Sequence, residues 1–308
     1  MNFLDNIGVS FKANYLVQGD NKEKCLFSKK NKIKNIELYV RKDGKDFSVE
    51  SIFDTYNGNV IFNFPAININ LENLNTIESN FQKILKYNIK SIIIKASSLT
   101  MEDYEWSTNE EQLEYISKIA LGIATLASNR VQIFIENTKN YENSEGFFGQ
   151  NLNQISDLLV YSRKTLVNNF KFSEDDANKY VKVCFNVSNF INDQSNDINK
   201  WFDVLNSNIG CIKYNDDENI ENVSEIILSN CIKYNIDIPI LLIEKIELEE
   251  IKPKYEKYYG YIKNFCIKNN LNLNEEVNED GFTNIVVISM IVLTILIGIL
   301  MVYVKFNS

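Results

Sequence analysis

Histidine is absent from this chain of 308 residues. It is the side chain best suited to acid–base chemistry near neutral pH, and it is the commonest metal ligand in proteins. Its absence excludes a Ser-His-Asp or Cys-His nucleophile and every zinc site that uses imidazole. We therefore expect no zinc, and the sequence indicates no other cofactor.

Motifs for redox chemistry and for nucleotide binding are missing as well. The five cysteines are odd in number and scattered, without a CxxC pair, so we predict that all of them are reduced. Cys184 and Cys211 fall inside apolar strand patterns, which predicts core positions. No GxGxxG follows a first strand and no GxxxxGK[ST] occurs, which disfavours a nucleotide-binding open sheet.

A basic surface is also lacking. The net charge is −9 and the sequence pI is about 4.9, with no basic patch interleaved with aromatic residues. Neutralisation of phosphates dominates the affinity of most nucleic-acid-binding proteins. We therefore expect no nucleic acid among the partners of this chain.

What the sequence does contain is an alternation of short apolar runs with longer helical patterns. Near-continuous apolar runs indicate parallel strands covered by helices, and eight such units in about 270 residues match the size of a (β/α)8 TIM barrel. A doubly wound open sheet is the alternative. The eight predicted strands are 7–10, 35–40, 60–64, 91–96, 131–136, 181–186, 209–214 and 238–243.

The chemistry of a TIM barrel lies at the carboxyl ends of its strands. The predicted strands therefore place six polar residues at the barrel mouth: Asn63, Lys95, Glu136, Asn186, Lys213 and Glu244.

Three of these strand ends resemble the endonuclease IV-like and xylose isomerase-like TIM barrels, most closely the endonuclease IV branch. "VQIFIENTKN" is similar to the strand-five segment of that family, whose metal-binding Glu corresponds to Glu136. "VCFNVSNF" is similar to the strand-six segment, with Asn186 and Asn189 in place of an Asp and a His ligand. "GCIKYND" is similar to the strand-seven segment, with Lys213 in place of a His.

Three further matches follow the family's order along the chain. "VIFNFPA" resembles a strand-three His-Ala-Pro pattern, with Asn63 replacing the His, and "IIIKASS" resembles a strand-four His-Pro-Gly-Ser pattern, with Lys95 replacing it. "PILLIEK" resembles the last strand, whose terminal Glu corresponds to Glu244. The resemblance implies a metal-dependent AP endonuclease ancestor, and these substitutions imply that its metal site is vestigial.

The two strand-end lysines suggest what replaces the metals. Carboxylates left buried without a counter-charge are costly, so we predict the ion pairs Lys95–Glu136 and Lys213–Glu244. The alternative is that both lysines extend outward to solvent and the two carboxylates meet water.

A second region, separate from the barrel, decides the expected localisation. The run 285–304, which begins at Ile285, contains Gly298 and ends at Val304, is uncharged and long enough to span a hydrocarbon core. We expect a barrel at 1–269, a flexible acidic linker at 270–284, one transmembrane helix at 285–304 and a short tail at 305–308. A buried core helix is the alternative for this run. The pattern predicts a tail-anchored, single-pass membrane protein with a cytosolic barrel.

Three functions are compatible with these features. The first is a membrane-anchored pseudoenzyme that binds or scaffolds a protein partner not identified by the sequence. The second is an enzyme with a Schiff-base lysine, Lys95 or Lys213, and Glu136 or Glu244 as its proton-transfer partner. The third is a sugar-phosphate or polyol isomerase or epimerase with an oxygen-ligand metal. Residual AP endonuclease activity is not expected.

Overall fold

The computed structural model describes residues 3–12, 18–39, 56–87, 89–139, 146–189, 198–215, 220–243 and 248–271. Within these ranges eight parallel strands follow one another around a closed barrel, and β1 pairs with β8 to complete it. The strands are β1 Ile7–Lys12, β2 Asn35–Tyr39, β3 Asn59–Phe64, β4 Ser91–Lys95, β5 Gln132–Glu136, β6 Val181–Asn186, β7 Ile209–Asn215 and β8 Ile240–Ile243.

All eight predicted strands are confirmed, and the closed barrel excludes the open-sheet alternative. The strands form where Ile, Val and Phe follow one another, because β-branched and aromatic side chains suit a strand that is covered on both faces. β8 begins two residues later than predicted. Pro239 precedes it, and its carbonyl oxygen accepts the hydrogen bond of Ile212 N at 3.0 Å.

Helices follow most strands and cover the barrel. Several begin at a side chain that accepts a hydrogen bond from the first turn, as Thr108 does in a capping box with Glu111. The helices of the described ranges are α1 Phe3–Asn6, α2 Gln18–Lys30, α3 Leu74–Leu85, α4 Met101–Glu105, α5 Asn109–Ala127, α6 Leu152–Phe170, α7 Glu174–Tyr180, α8 Ile198–Leu205, α9 Ile220–Lys233 and α10 Leu248–Lys268.

The core has two parts, one outside and one inside the barrel. The larger part lies between the strands and the helices; it includes Phe185, whose ring stacks on buried Trp201 at a centroid distance of 5.2 Å. The smaller part fills the barrel interior with one apolar layer. Its members are Ile61, Ile93, Phe134, Cys184, Cys211 and Leu241.

An irregularity between β6 and β7 shapes that inner layer. The register between the two strands shifts at Val183 and Cys184, and beyond the shift Cys184 pairs with Cys211 and Asn186 with Lys213. Gly210 lies at this point, and a Cβ there would lie 2.5 Å from a ring carbon of Phe134. Glycine therefore leaves room for the Phe134 ring that fills the barrel floor.

The cysteines and the C-terminal end of the barrel complete the fold. All five cysteines are free, as predicted, and the expected core positions of Cys184 and Cys211 are confirmed; the other three cysteines are buried as well. The last described helix ends at Lys268, and none of the helices up to residue 271 has the length and hydropathy of a bilayer span. The predicted linker at 270–284 lies almost wholly, and the predicted span at 285–304 entirely, outside the described residues.

Candidate functional site

The polar cluster at the barrel mouth is built by the alternation of side chains along the strands. Five of the six inner-layer residues, all but Leu241, are followed two positions later by a polar residue on the same side of the strand. In this way Ile61 is followed by Asn63 and Phe134 by Glu136. The same step on β6 and β7 leads from Cys184 to Asn186 and from Cys211 to Lys213.

Lys213 lies at the centre of this cluster and joins two carboxylates. Its Nζ is 2.7 Å from Oε1 of Glu37 and 3.2 Å from Oε1 of Glu136. Lys213 is 3% exposed, Glu136 is 4% exposed and Glu37 is fully buried. The ammonium therefore links β2, β5 and β7 across the barrel in a site from which water is largely excluded.

Two asparagine amides complete the hydrogen bonding of Glu136. Asn186 Nδ2 donates to Oε1 at 2.8 Å, and Asn63 Nδ2 donates to Oε2 at 3.2 Å. Asn63 Nδ2 also lies 2.5 Å from Oε1 of Glu37, so that it bridges the two carboxylates. We call these five residues the mouth cluster: Glu37, Asn63, Glu136, Asn186 and Lys213.

The electrostatics of the cluster keep both Glu136 and Lys213 charged. Burial raises the pKa of Glu136, but Lys213, the Asn186 amide and the more distant Lys95 outweigh burial and hold that pKa below its ordinary value. Burial likewise lowers the pKa of Lys213, but Glu136 and Glu37 outweigh it and raise the pKa well above its ordinary value. At neutral pH the cluster therefore contains an ammonium and a carboxylate in direct contact.

A second set of contacts fixes the end of β6. The side chain of Asn137 accepts from Asn186 N at 2.7 Å and donates to Asn186 O at 3.1 Å. Asn189 Nδ2 donates to Asn137 O at 2.8 Å. Asn189 therefore supports the backbone just after β5, whereas Asn186 reaches Glu136 itself.

The donor set does not fit the metal cluster that the resemblance implies. An ammonium has no lone pair, and Lys213 presents its positive charge to the same carboxylate oxygens that would bind a cation. Zinc sites use thiolate, imidazole and carboxylate ligands. The described part of the chain contains no group of three or more His, Cys, Asp or Glu residues that could hold a metal ion.

The predicted ion pair between Lys95 and Glu136 is replaced by another pair. In the described residues Glu136 forms its ion pair with Lys213 and not with Lys95, although Lys95 and Glu136 are register partners. The Lys95 side chain, at the end of β4, is exposed. The second predicted pair, Lys213–Glu244, cannot be compared, because Glu244 lies outside the described residues.

Two residues of the site did not emerge from the sequence. Glu37 stands between Ile36 and Leu38, whose side chains belong to the outer core, so a single acid in an apolar strand was the available signal. Asn137 follows Glu136 directly, and nothing in its type or spacing distinguishes it from the many other asparagines of the chain.

Two acceptors of the mouth cluster remain without a donor. Oε2 of Glu37 and Oδ1 of Asn63 are buried and have no hydrogen-bond partner among the described residues. A buried acceptor without a donor is costly. These two atoms therefore mark a place where a hydroxyl or water donor would be favourable.

The closed barrel and its mouth can now be compared with known proteins. No protein-family model matches the chain, and no curated protein matches its sequence. Solved structures do match. D-allulose 3-epimerase from Methylomonas sp. matches with a TM-score of 0.58 and 9% identity, covering 86% of this chain and 98% of that chain. The fold that the two chains share is a (β/α)8 TIM barrel.

Two further structures extend this likeness. L-ribulose 3-epimerase matches with a TM-score of 0.55 and 10% identity, covering 82% of this chain and 86% of that chain. The AP endonuclease of family 2 from Brucella melitensis matches with a TM-score of 0.53 and 13% identity, covering 82% and 97%. At these identities the likeness establishes the fold and leaves the activity to the site.

Proposed function

We propose that this chain is a catalytically degenerate, metal-independent barrel that acts as a binding or scaffold protein. The observation that carries this proposal is the position of the Lys213 ammonium, 2.7 Å from Glu37 and 3.2 Å from Glu136. A tethered cation there satisfies the carboxylates and opposes a divalent ion at the same oxygens. The Asn186 and Asn63 amides direct N–H donors, which have no lone pair for a metal, toward the same Glu136 carboxylate.

The same ammonium argues against a Schiff-base enzyme. A lysine nucleophile must lose its proton, which requires a lowered pKa. The two carboxylates raise the pKa of Lys213 instead, so the amine stays protonated. Lys95 is exposed, and the desolvated pocket that activates a lysine is not formed around it.

The proposed role includes attachment to a membrane through residues 285–304, with the acidic stretch 270–284 as a spacer and the barrel on the cytosolic side. Its support is the length and the uncharged composition of that run. The full chain should remain with membranes after alkaline carbonate extraction, and a chain that ends at residue 284 should be released. Release of both chains would contradict the proposed attachment to a membrane.

Metal analysis of the full chain, purified in nonionic detergent, tests the degenerate site. We expect substoichiometric zinc, manganese and magnesium, and a melting temperature that chelators leave unchanged. The chain should turn over neither ketoses nor DNA containing abasic sites. A stoichiometric metal whose removal lowers the melting temperature, or turnover that a chelator abolishes, would overturn the proposal.

A second candidate function is binding or isomerisation of a polyol or sugar at the mouth. The observation that favours it is a pair of buried acceptors, Oε2 of Glu37 and Oδ1 of Asn63, that have no donor within the described ranges, since sugar hydroxyls are donors. The epimerase folds similar to this chain agree with it but do not establish it.

Thermal denaturation with a panel of ketoses and polyols tests this candidate. A ligand should raise the melting temperature of the wild-type chain but not that of Asn63→Leu, which removes one acceptor. Gln82→Leu, at an exposed amide on α3, is the control and should respond as the wild type does. Equal increases in the melting temperatures of all three chains would show that the ligand binds outside the barrel mouth.

A further inference from the structure

Trp106 is exposed to an unusual degree for its type. It is 84% exposed, whereas Trp201, the other tryptophan, is 1% exposed. Large aromatic side chains usually bury most of their surface on folding, and tryptophan is the residue most enriched among the dominant contacts of protein interfaces. The feature therefore calls for a function outside the barrel core.

The backbone around Trp106 is held by defined contacts. Trp106 ends α4, and its backbone N–H donates to Glu102 O at 3.1 Å. Gln112 Nε2 on α5 donates to Tyr104 O at 2.8 Å, and the Tyr104 ring packs against Phe148 at a centroid distance of 4.8 Å. The indole is therefore presented by a fixed helical turn, which limits the entropy lost when a partner covers it.

The residues flanking Trp106 carry unneutralised negative charge. The stretch 96–117 contains six acidic residues and no lysine or arginine. Two of these six acidic residues take part in helix capping. Asp103 accepts a hydrogen bond from the Thr100 hydroxyl, and Glu111 accepts one from the backbone N–H of Thr108. Glu102, Glu105 and Glu110 are exposed, and the described ranges contain no ion pair or side-chain hydrogen bond for any of these three.

A second aromatic side chain lies near the start of the same helix. Phe147 is 41% exposed, and its backbone forms an isolated β-bridge with Thr100, the N-cap of α4. Apolar groups are thus exposed at both ends of a five-residue helix that also carries the exposed Glu102 and Glu105, and Glu110 follows in the first turn of α5. We call Glu102, Glu105, Trp106, Glu110 and Phe147 the α4 surface.

We propose that the α4 surface docks a lysine- or arginine-rich segment of a partner protein. A guanidinium or ammonium over the indole face gains a cation–π interaction, and arginine also stacks on the ring through its planar group. The three free carboxylates match the charge of such a segment and speed its approach. This inference does not depend on what the barrel mouth binds.

The chemistry of the surface disfavours the other occupants. A wholly apolar partner would bury Glu102, Glu105 and Glu110 without counter-charges, which is costly. An anionic membrane leaflet would repel the same carboxylates. Nucleic acid is disfavoured for the same reason, because phosphate contacts supply most of its affinity.

Fluorescence provides the test, because Trp106 is accessible to a quencher and Trp201 is not. A short peptide of alternating arginine and alanine, titrated into the full chain, should protect Trp106 from quenching by acrylamide. Anisotropy of the labelled peptide should show binding that weakens about tenfold in Trp106→Ala, a value typical of an interface tryptophan. Because Trp106 is exposed, we expect this variant to melt at the wild-type temperature.

Matched charge variants test whether the peptide binds to the α4 surface or is attracted only by the overall negative charge of the chain. Glu102→Gln with Glu105→Gln should weaken binding roughly threefold or more, as loss of exposed ion pairs does. Glu174→Gln with Asp175→Asn removes the same charge from the exposed first turn of α7 and should leave binding unchanged. Equal loss in both double variants, or unchanged binding in Trp106→Ala, would overturn the proposal.

Analytical sedimentation of the full chain tests the alternative that a second copy of the chain binds to the α4 surface. The proposal expects no self-association that depends on Trp106. Concentration-dependent dimers that are abolished by Trp106→Ala would show that the α4 surface binds a second copy of the chain. That result would overturn the proposal of a basic partner.

Discussion

Replacing Lys213 with methionine should destabilise the barrel by about 3–5 kcal/mol at neutral pH, the cost of removing one partner from a buried ion pair. Methionine keeps most of the side-chain volume, so the loss is chiefly electrostatic. The Lys213 Nζ contacts Glu37 and Glu136, both buried, and the variant leaves these carboxylates without a cation in contact.

The pH dependence of this loss has a definite sign. In the wild type the pKa of Glu136 is lowered, so its stabilising contribution is present above the unfolded value of about 4.3 and is lost as the pH falls. In Lys213→Met, burial without a counter-charge raises the pKa of that carboxyl. Its protonated form then favours folding at low pH, and stability falls as the pH rises.

The variant should therefore recover stability on mild acidification, by up to about 1.4 kcal/mol per pH unit for each carboxyl that takes up a proton. Under the same conditions the wild type should hold or lose stability. Urea unfolding followed by circular dichroism between neutral pH and about pH 5 measures both slopes.

An exposed ion pair of equal length provides the control. Lys118 Nζ lies 2.7 Å from Glu114 Oε1, the same distance as in the Lys213–Glu37 pair, but both side chains are about half exposed. Lys118→Met should cost less than about 1 kcal/mol and leave the pH slope unchanged. If Lys213→Met behaves like this control, the mouth cluster is not the buried charge network described above.

Three further predictions concern the mouth and the core. Asn186→Asp combined with Lys213→His restores an Asp-His-Glu donor set, and zinc titration should show binding to this variant and none to the wild type. Gly210→Ala should lower stability by about 1–3 kcal/mol in urea unfolding, because its Cβ would overlap the Phe134 ring. The five cysteines should resist Ellman's reagent until urea unfolds the chain, because all are buried.

The fold could be predicted from the sequence because each strand carries its own signal. Runs such as those in β5 and β6 are apolar, rich in Ile, Val and Phe, and separated by helical patterns, and all eight runs became strands of one barrel. Chain order and parallel pairing follow from that alternation, since right-handed βα crossovers place successive strands side by side.

The partners within the site could not be predicted in the same way. Alternation along a strand states which side a residue faces, but it does not state which residues meet across the barrel. The sequence placed Lys95 beside Glu136 because β4 and β5 are neighbours. The side chain that reaches Glu136 instead comes from Lys213, two strands away from β5.

The end of the inner layer does not by itself decide which of the two lysines is buried. Lys95 and Lys213 each stand two residues beyond an apolar interior residue, Ile93 and Cys211, yet only Lys213 is buried. Glu37 accounts for part of the difference, because an ammonium on β7 meets two carboxylates there and so recovers more of its lost hydration. The acid on β2 is therefore as necessary to the mouth cluster as the lysine. A lysine at the mouth of a barrel stays inside only where a carboxylate lies opposite it.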